Sequence, residues 1–359
     1  MTQREKEILS ILKQEPMIPQ QDLADRLGIT RSSVAVHITH LLQKGYLLGK
    51  GYIIQEDPYV LVIGGSNVDI QGVALDKLIP KDSNIGSVHL SLGGVGRNIA
   101  ENCARLNLPT RLISVIGDDP YGKQILEHAS AIGLDMSDSL ILKNQSTSMY
   151  LSILDETNDM AIAINAMDSI KALTPEYIQK KKHILEHAGL IVLDTNLETN
   201  VIETIVRLAK CPVYIDPVSS TKAKKISHLL HRIHGLKPNR LEAEVLSGLS
   251  MDHPETVAQT LHQKGIHELF ISLGQEGVYV SQENVGKAYP NPKTKVVNAT
   301  GAGDAFMAAL IYAKMKQFSL EDTVKTALSA SALCLESEET IHPEMSEDKL
   351  MEKRKELYP

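Results

Sequence analysis

The run Asn298-Ala-Thr-Gly-Ala-Gly-Asp-Ala-Phe306 places an acid directly behind a glycine turn. Asp304 follows Gly301, Ala302 and Gly303 and heads the apolar stretch Ala305 to Met315, which predicts a helix. The free N–H groups at a helix N-terminus converge on one point and favour negative charge there. A carboxylate beside that point can take the proton of a hydroxyl. These are the parts needed to move a phosphoryl group from a nucleotide to an alcohol: donors for charge spreading over the phosphate, and a base for the acceptor.

Four other clusters carry weaker signals. Gly64-Gly-Ser-Asn-Val-Asp69 closes an apolar run that reads as the first strand of the larger domain. Asp69 can accept from two adjacent hydroxyls, as on a ribose, and Asn67 can donate and accept; an ordinary Asx turn would look the same. Gly93-Gly-Val-Gly-Arg-Asn98 opens a predicted helix, with glycines that allow close backbone approach and Asn98 in the first turn. It lacks the G-x-G-x-x-G spacing of a dinucleotide fingerprint. Lys237-Pro-Asn-Arg-Leu-Glu242 sets Asn239 before a helix whose first turn holds Glu242. That pair could hold a hydrated Mg²⁺, although a simple helix cap explains the spacing equally well. Ser272-Leu-Gly-Gln-Glu-Gly277 joins two predicted strands, and Gly274 and Gly277 could line a nucleotide pocket or merely turn a hairpin.

The elements that must position these clusters alternate along the chain. Strands are predicted at Tyr59–Gly64, Arg111–Ile116, Leu190–Leu193, Val213–Ile215, Gly235–Lys237 and Glu268–Ser272. Helices are predicted at Val95–Leu106, Gly122–Ile132, Asn200–Leu208, Leu241–Ser247 and Glu255–Lys264. This rhythm indicates an α/β fold, a parallel sheet covered on both faces. Ile85–Leu90 and Ser148–Asn165, the latter turning at Asp155–Asn158, depart from it and predict a small separate sheet suited to a lid.

At 359 residues the chain exceeds the usual domain size of about 100–200 residues. A formal charge of −7 argues against nonspecific nucleic-acid binding by the whole molecule. Cys103, Cys211 and Cys334 have no metal-ligand spacing, and reduced thiols predict a cytoplasmic protein. The start, Met1 to Lys6, lacks a signal-peptide core, and no apolar run approaches the about 20 residues that cross a membrane.

The first fifty or so residues differ in character. Ile8, Leu9, Ile11 and Leu12 mark one helix, Pro16 and Pro19 end it, and Gln20 to Leu27 reads as a second, closed by Gly28. Thr30 caps a third helix running to about Lys44, with Val34, Ile38 and Leu41 inward. Tyr46 to Ile54 predicts a hairpin, and Gln55 to Pro58 a junction. The order is that of a winged helix-turn-helix. Arg31, Ser32, Ser33 and His37 then stand on a face that could enter a major groove. The near-neutral charge of the segment also suits a dimerisation or docking module.

In this order and spacing the five clusters resemble the PfkB family of carbohydrate and nucleoside kinases. The resemblance runs from about Tyr59 to Leu335 and is tighter to the pseudouridine kinase branch, on the runs Gly93 to Leu106 and Ser148 to Asn165. It implies a ribokinase-like three-layer α/β/α sandwich with a small β-sheet lid, over about 70–92 and 147–167. Domains 1–56 (winged helix-turn-helix) and 57–359 (kinase) follow. It implies Asp304 as catalytic base and Gly301, Ala302 and Gly303 as anion hole. Asn67, Asp69, Gly93, Gly94 and Asn98 would hold the sugar, and Asn165 on the lid would contact base or sugar. Asn239, Ser272, Gly274 and Gly277 would hold ATP, with Glu242 on Mg²⁺.

One position departs from the family pattern. Asn298 stands where many members carry an aspartate near a monovalent-cation site, which weighs against K⁺ activation although backbone carbonyls could still bind the ion. The implied activity is ATP-dependent phosphorylation of a nucleoside 5′-hydroxyl, pseudouridine first. A sugar kinase, an inosine or adenosine kinase, and a DNA-binding regulator that senses ligand are the competing readings. A homodimer, DNA contact through the first domain and no membrane association complete the expectations.

Overall fold

A computed structural model describes residues 1–47, 58–157, 159–283 and 285–359. The chain divides into two compact units, Met1–Asp57 and Pro58–Pro359.

In the first unit, Gln3–Gln14 begins with a reciprocal capping box between Thr2 and Glu5. Gln20–Leu27 ends at Gly28 in the left-handed region (φ 61°), and Arg31–Gln43 starts with the Thr30 side chain accepting from Ser33 N. Ile8, Leu12, Leu23, Val34, Ile38 and Leu41 interlock as its core. The expected hairpin and junction lie outside the described residues from position 48 to 57, as does position 158 of the expected Asp155–Asn158 turn.

In the second unit, eight strands form one sheet in the order Val285–Tyr289, Val278–Gln282, Glu268–Ser272, Gly235–Leu236, Val213–Asp216, Leu190–Asp194, Val60–Ile63, Thr110–Ile113. Pairing is parallel from Thr110–Ile113 through Glu268–Ser272 and antiparallel for the two strands beyond it, Val278–Gln282 and Val285–Tyr289. Strands such as Val60–Ile63 and Leu190–Asp194 are buried on both faces, which explains their unbroken apolar runs. Leu61, Ile63, Ile191 and Leu193 pack one way, against Ile178, Ile202 and Leu261. Val60, Val62 and Val192 pack the other way, against Ile99, Leu310 and Leu328. Three layers result.

A second, four-stranded sheet runs in the order Gly86–Gly93, Asn67–Ala74, Met149–Leu154, Met160–Ala166. Asn67 and Asp69 open a strand of this second sheet, which sets aside the alternative of an ordinary Asx turn. One expectation needs correction. Arg111–Ile116 is not one strand. Ser114 donates its hydroxyl to Gly64 O at 2.6 Å, and Val115–Gly117 leaves to pair with Leu140–Leu142. The helices Leu320–Leu335 and Glu347–Leu357 lie beyond the expected elements.

Candidate active site

Two glycine-started helices meet at Asp304. Gly301 has φ 82°, and a Cβ there would lie 2.0 Å from Thr340 O, so no other residue fits without moving the backbone. The helix Ala302–Met315 begins behind it with no side-chain cap. Gly94, at φ 101°, starts Val95–Arg105 in the same uncapped way, and a Cβ would meet Gly65 O at 2.4 Å. Asn98, in the first turn of that helix, donates from Nδ2 to Asp304 Oδ2 at 2.9 Å. Its Oδ1 accepts from Arg97 Nη1 at 3.1 Å, which fixes the direction of the amide.

Electrostatics around Asp304 favour a proton on it near neutrality. Burial, then the negative charge of Asp216 and more weakly that of Asp194, push its pKa up to about 7 against the Asn98 bond and Lys237. Lys237 is buried and pairs with Asp216 at 2.7 Å. Burial opposes its charge, but Asp216, Asp304 and Glu242 hold its pKa above the ordinary lysine value. A Cβ on Gly303 would sit 3.1 Å from the Lys237 ammonium, so this glycine lets the cation approach the helix N-terminus.

Asp194 joins the glycine segments. Fully buried, it accepts from Gly65 N and Gly96 N at 2.8 Å and from Asn196 N at 2.9 Å. Burial raises its pKa. Asp194 and Asp216 end adjacent apolar strands and are paired in register, and Lys237 follows the next strand. The carboxyl edge of the parallel sheet therefore carries the charges, as expected for an open α/β fold. Sequence reasoning gave these three residues no role, although an acid or lysine closing an apolar strand was the available signal.

On the side of the second sheet, Asn67 Nδ2 donates to Asp69 Oδ1 at 2.6 Å. Burial raises the Asp69 pKa, and a Cβ on Gly93 would strike Asp69 Oδ2 at 2.1 Å. Asn67 and Asn165 share the lining of a cavity of about 210 Å³ with Ser66, Asn196, Lys171 and Lys222. Asp69, Asn98 and Asp304 are not among the lining residues. Ser66 Oγ is buried there without a hydrogen-bond partner among the described residues. It sits inside a motif whose neighbours were singled out, but its own type gave no signal.

The remaining predicted residues are also placed. Asn239 and Glu242 form a complete capping box for Arg240–Ser247, each holding the other's backbone N–H. Burial, then Asp216, raises the Glu242 pKa against the Asn239 N–H and Lys237. Asn239 and Ser272 bridge in parallel fashion, and Ser272 Oγ donates to Pro238 O at 3.3 Å. Gly274 and Gly277 have φ 63° and 106° in the turn between Glu268–Ser272 and Val278–Gln282. In the first unit Arg31 and Ser32 are exposed, whereas Ser33 and His37 are half-buried.

Comparisons with known proteins agree with this geometry. The sequence profile described as pfkB family carbohydrate kinase matches residues 57–347, and that of a winged helix-turn-helix DNA-binding module matches residues 1–47. The uncharacterized sugar kinase YeiI of Escherichia coli (strain K12) is 40% identical over 97% of this chain and 98% of its own length. The pseudouridine kinase of the same organism is 39% identical over 82% of this chain and 95% of its own. The crystal structure of a candidate sugar kinase from Clostridium perfringens superimposes with a TM-score of 0.78 at 38% identity, covering 84% of this chain and 96% of that one. The chain belongs to the pfkB family of carbohydrate kinases, phosphotransferases with an alcohol as acceptor, and carries a winged helix-turn-helix module ahead of its ribokinase-like domain.

Proposed function

We propose that the protein transfers the γ-phosphoryl group of ATP to the 5′-hydroxyl of a nucleoside, with pseudouridine as the preferred acceptor. The observation that carries this reading is Asp304. Its carboxylate is desolvated, poised with a pKa of about 7, held by Asn98, and seated at an uncapped helix N-terminus. A base is most effective when its pKa lies near the working pH. The 39% identity to a pseudouridine kinase supports a nucleoside acceptor, and the 40% identity to an uncharacterized sugar kinase keeps a free sugar as the alternative that the test below must separate.

In this reading Asp69, Asn67, Gly93, Gly94 and Asn98 orient the ribose. Asn165, with the unpartnered Ser66 hydroxyl, meets the base or sugar from the shared cavity. Asp304 removes the 5′-hydroxyl proton as the new P–O bond forms and the bond to ADP breaks. The N–H groups of the Gly301–Gly303 turn receive the charge on the transferring phosphoryl oxygens. Ser272, Gly274, Gly277 and Asn239 flank the nucleotide; a Cβ on Gly274 would meet nothing within 4 Å, so its surroundings leave room. Glu242 and Asn239 offer oxygen donors, which suit a hard cation that keeps its waters, and Mg²⁺ held there would offset phosphate charge. Asn298 spends its amide on backbone partners, accepting from Thr300 N in its own loop and donating to Glu338 O beyond the helix Leu320–Leu335, both at 2.9 Å, which argues against a K⁺ requirement.

The same reading divides the chain into a reading head, 1–56, and a kinase, 57–359, with DNA contacted through Arg31, Ser32, Ser33 and His37. Pairing as a homodimer is supported by the second sheet. Its register aligns Ile70, Leu90, Leu151 and Ile164 on one face, opposite the face of Asp69 and Asn165. Leu90 and Ile164 are exposed there, as are Val88 and Ile162 further along the same face.

The test is purified protein with Mg-ATP and a panel of nucleosides and pentoses, read by mass spectrometry. Pseudouridine monophosphate well above uridine monophosphate is expected; equal phosphorylation of free ribose would overturn the nucleoside assignment. The winged module favours a second, compatible role as regulator. A gel shift on DNA upstream of its own operon, with and without nucleoside, measures it, and no shift on any such DNA would count against the reading head.

A further inference from the structure

The first unit holds a cluster from which the proposed function takes only His37, as a DNA contact. Glu5, His37 and His40 each present one ligand atom, all within 4.8 Å of one another. His37 and His40 lie three positions apart on Arg31–Gln43, a same-face spacing, and Glu5 reaches them from Gln3–Gln14. The Glu5 side chain is 1% exposed, and His40 Nδ1 stands 3.8 Å from its Oε1. Independently, His37 Nδ1 is buried and has no hydrogen-bond partner among the described residues. An imidazole nitrogen withdrawn from water without a partner is costly unless something else meets its lone pair.

We propose that Glu5, His37 and His40 form a site for a borderline divalent transition metal, Zn²⁺ in the first instance. Two imidazoles and one carboxylate, with a fourth position left for water, are a well-suited zinc donor set, and hard Mg²⁺ prefers oxygen alone. Closing the donors onto zinc at about 2 Å takes side-chain adjustments of about an ångström. The Lys44 ammonium now occupies the carboxylate, at 2.8 Å from Oε1 and 2.9 Å from Oε2. Metal displaces it and ties the first helix to the third. The Lys44 side chain, at the C-terminal end of the third helix, is freed whenever metal is bound.

The test uses the full chain, stripped with chelator and kept in excess Mg²⁺ so that hard-cation sites are filled. Zn²⁺ is titrated by calorimetry, and Co²⁺ serves as an optical probe of tetrahedral coordination. Wild type should bind one more equivalent of Zn²⁺ than the His37→Ala/His40→Ala double variant, whose fold is checked by circular dichroism. Lys44→Met, which keeps all three ligands and removes the competitor, should tighten that equivalent by about tenfold. Equal zinc stoichiometry in wild type and a folded double variant overturns the proposal. So does a Lys44→Met protein that binds Zn²⁺ no more tightly than wild type, a result that stands even if the double variant fails to fold.

Discussion

The helices Arg240–Ser247 and Ala302–Met315 begin in opposite ways. The first opens with Asn239 and Glu242 locked in a capping box, so its leading amides are already answered by its own side chains. The second opens at Gly301, which has no side chain to cap anything, and Val95–Arg105 opens likewise at Gly94. Elsewhere Asp119, Ser319 and Ser346 cap their helices as usual. A glycine in place of a capping side chain forgoes about a few tenths of a kcal/mol per helix. Gln20–Leu27, Lys182–His187, Thr199–Leu208 and Pro254–Gln263 also lack a side-chain cap, but among the described α-helices the two that begin at a glycine are the pair joined by the Asn98–Asp304 bond. Glycine leaves both the amides and the space in front of them open.

Substitutions can break this contrast, starting with the largest effect. Asp304→Asn should lower turnover by about 10²–10⁴ while nucleoside affinity stays within a few-fold, since only the base is lost. Binding by calorimetry and steady-state rates separate the two. Gly301→Ala should cost about 10²-fold in turnover, because a Cβ aimed at Thr340 O must swing the amides away from the phosphoryl group. Asn98→Ala removes a bond that holds the Asp304 pKa down. The acid limb of its rate profile should move to higher pH, with about a tenfold loss at neutrality. Asn239→Ala should cost about 1 kcal/mol in the denaturant midpoint and weaken Mg-ATP binding, with a smaller loss of turnover than Gly301→Ala. Should its kinetic loss exceed that of Gly301→Ala, the capped helix and not the open one would be the more important anion site.

The parts of this arrangement that were legible in the sequence are local. Gly301 to Asp304 and the apolar run behind them signal a turn and a helix within a few positions, and Thr30 and Gly28 mark the small helices in the same way. The charges at the sheet edge were not legible, because Asp194, Asp216 and Lys237 become neighbours only through strand order. Asn67 and Asp69 were compatible with an Asx turn because glycines precede them. Only pairing with Gly86–Gly93 and Met149–Leu154 makes that stretch a strand. Ser114 hid a break inside an apolar run, since a serine hydroxyl can complete a strand or, as here, end it on a neighbouring carbonyl.

The most direct test of Asp304 as a base poised near neutrality is the pH dependence of kcat/KM for the nucleoside. That ratio reports the free enzyme. The raised pKa means the carboxylate is ionised, and competent, only above about 7. The ratio should therefore fall by about tenfold per pH unit below that midpoint and level off above it. A profile that stays flat into the ordinary carboxylate range would contradict the account.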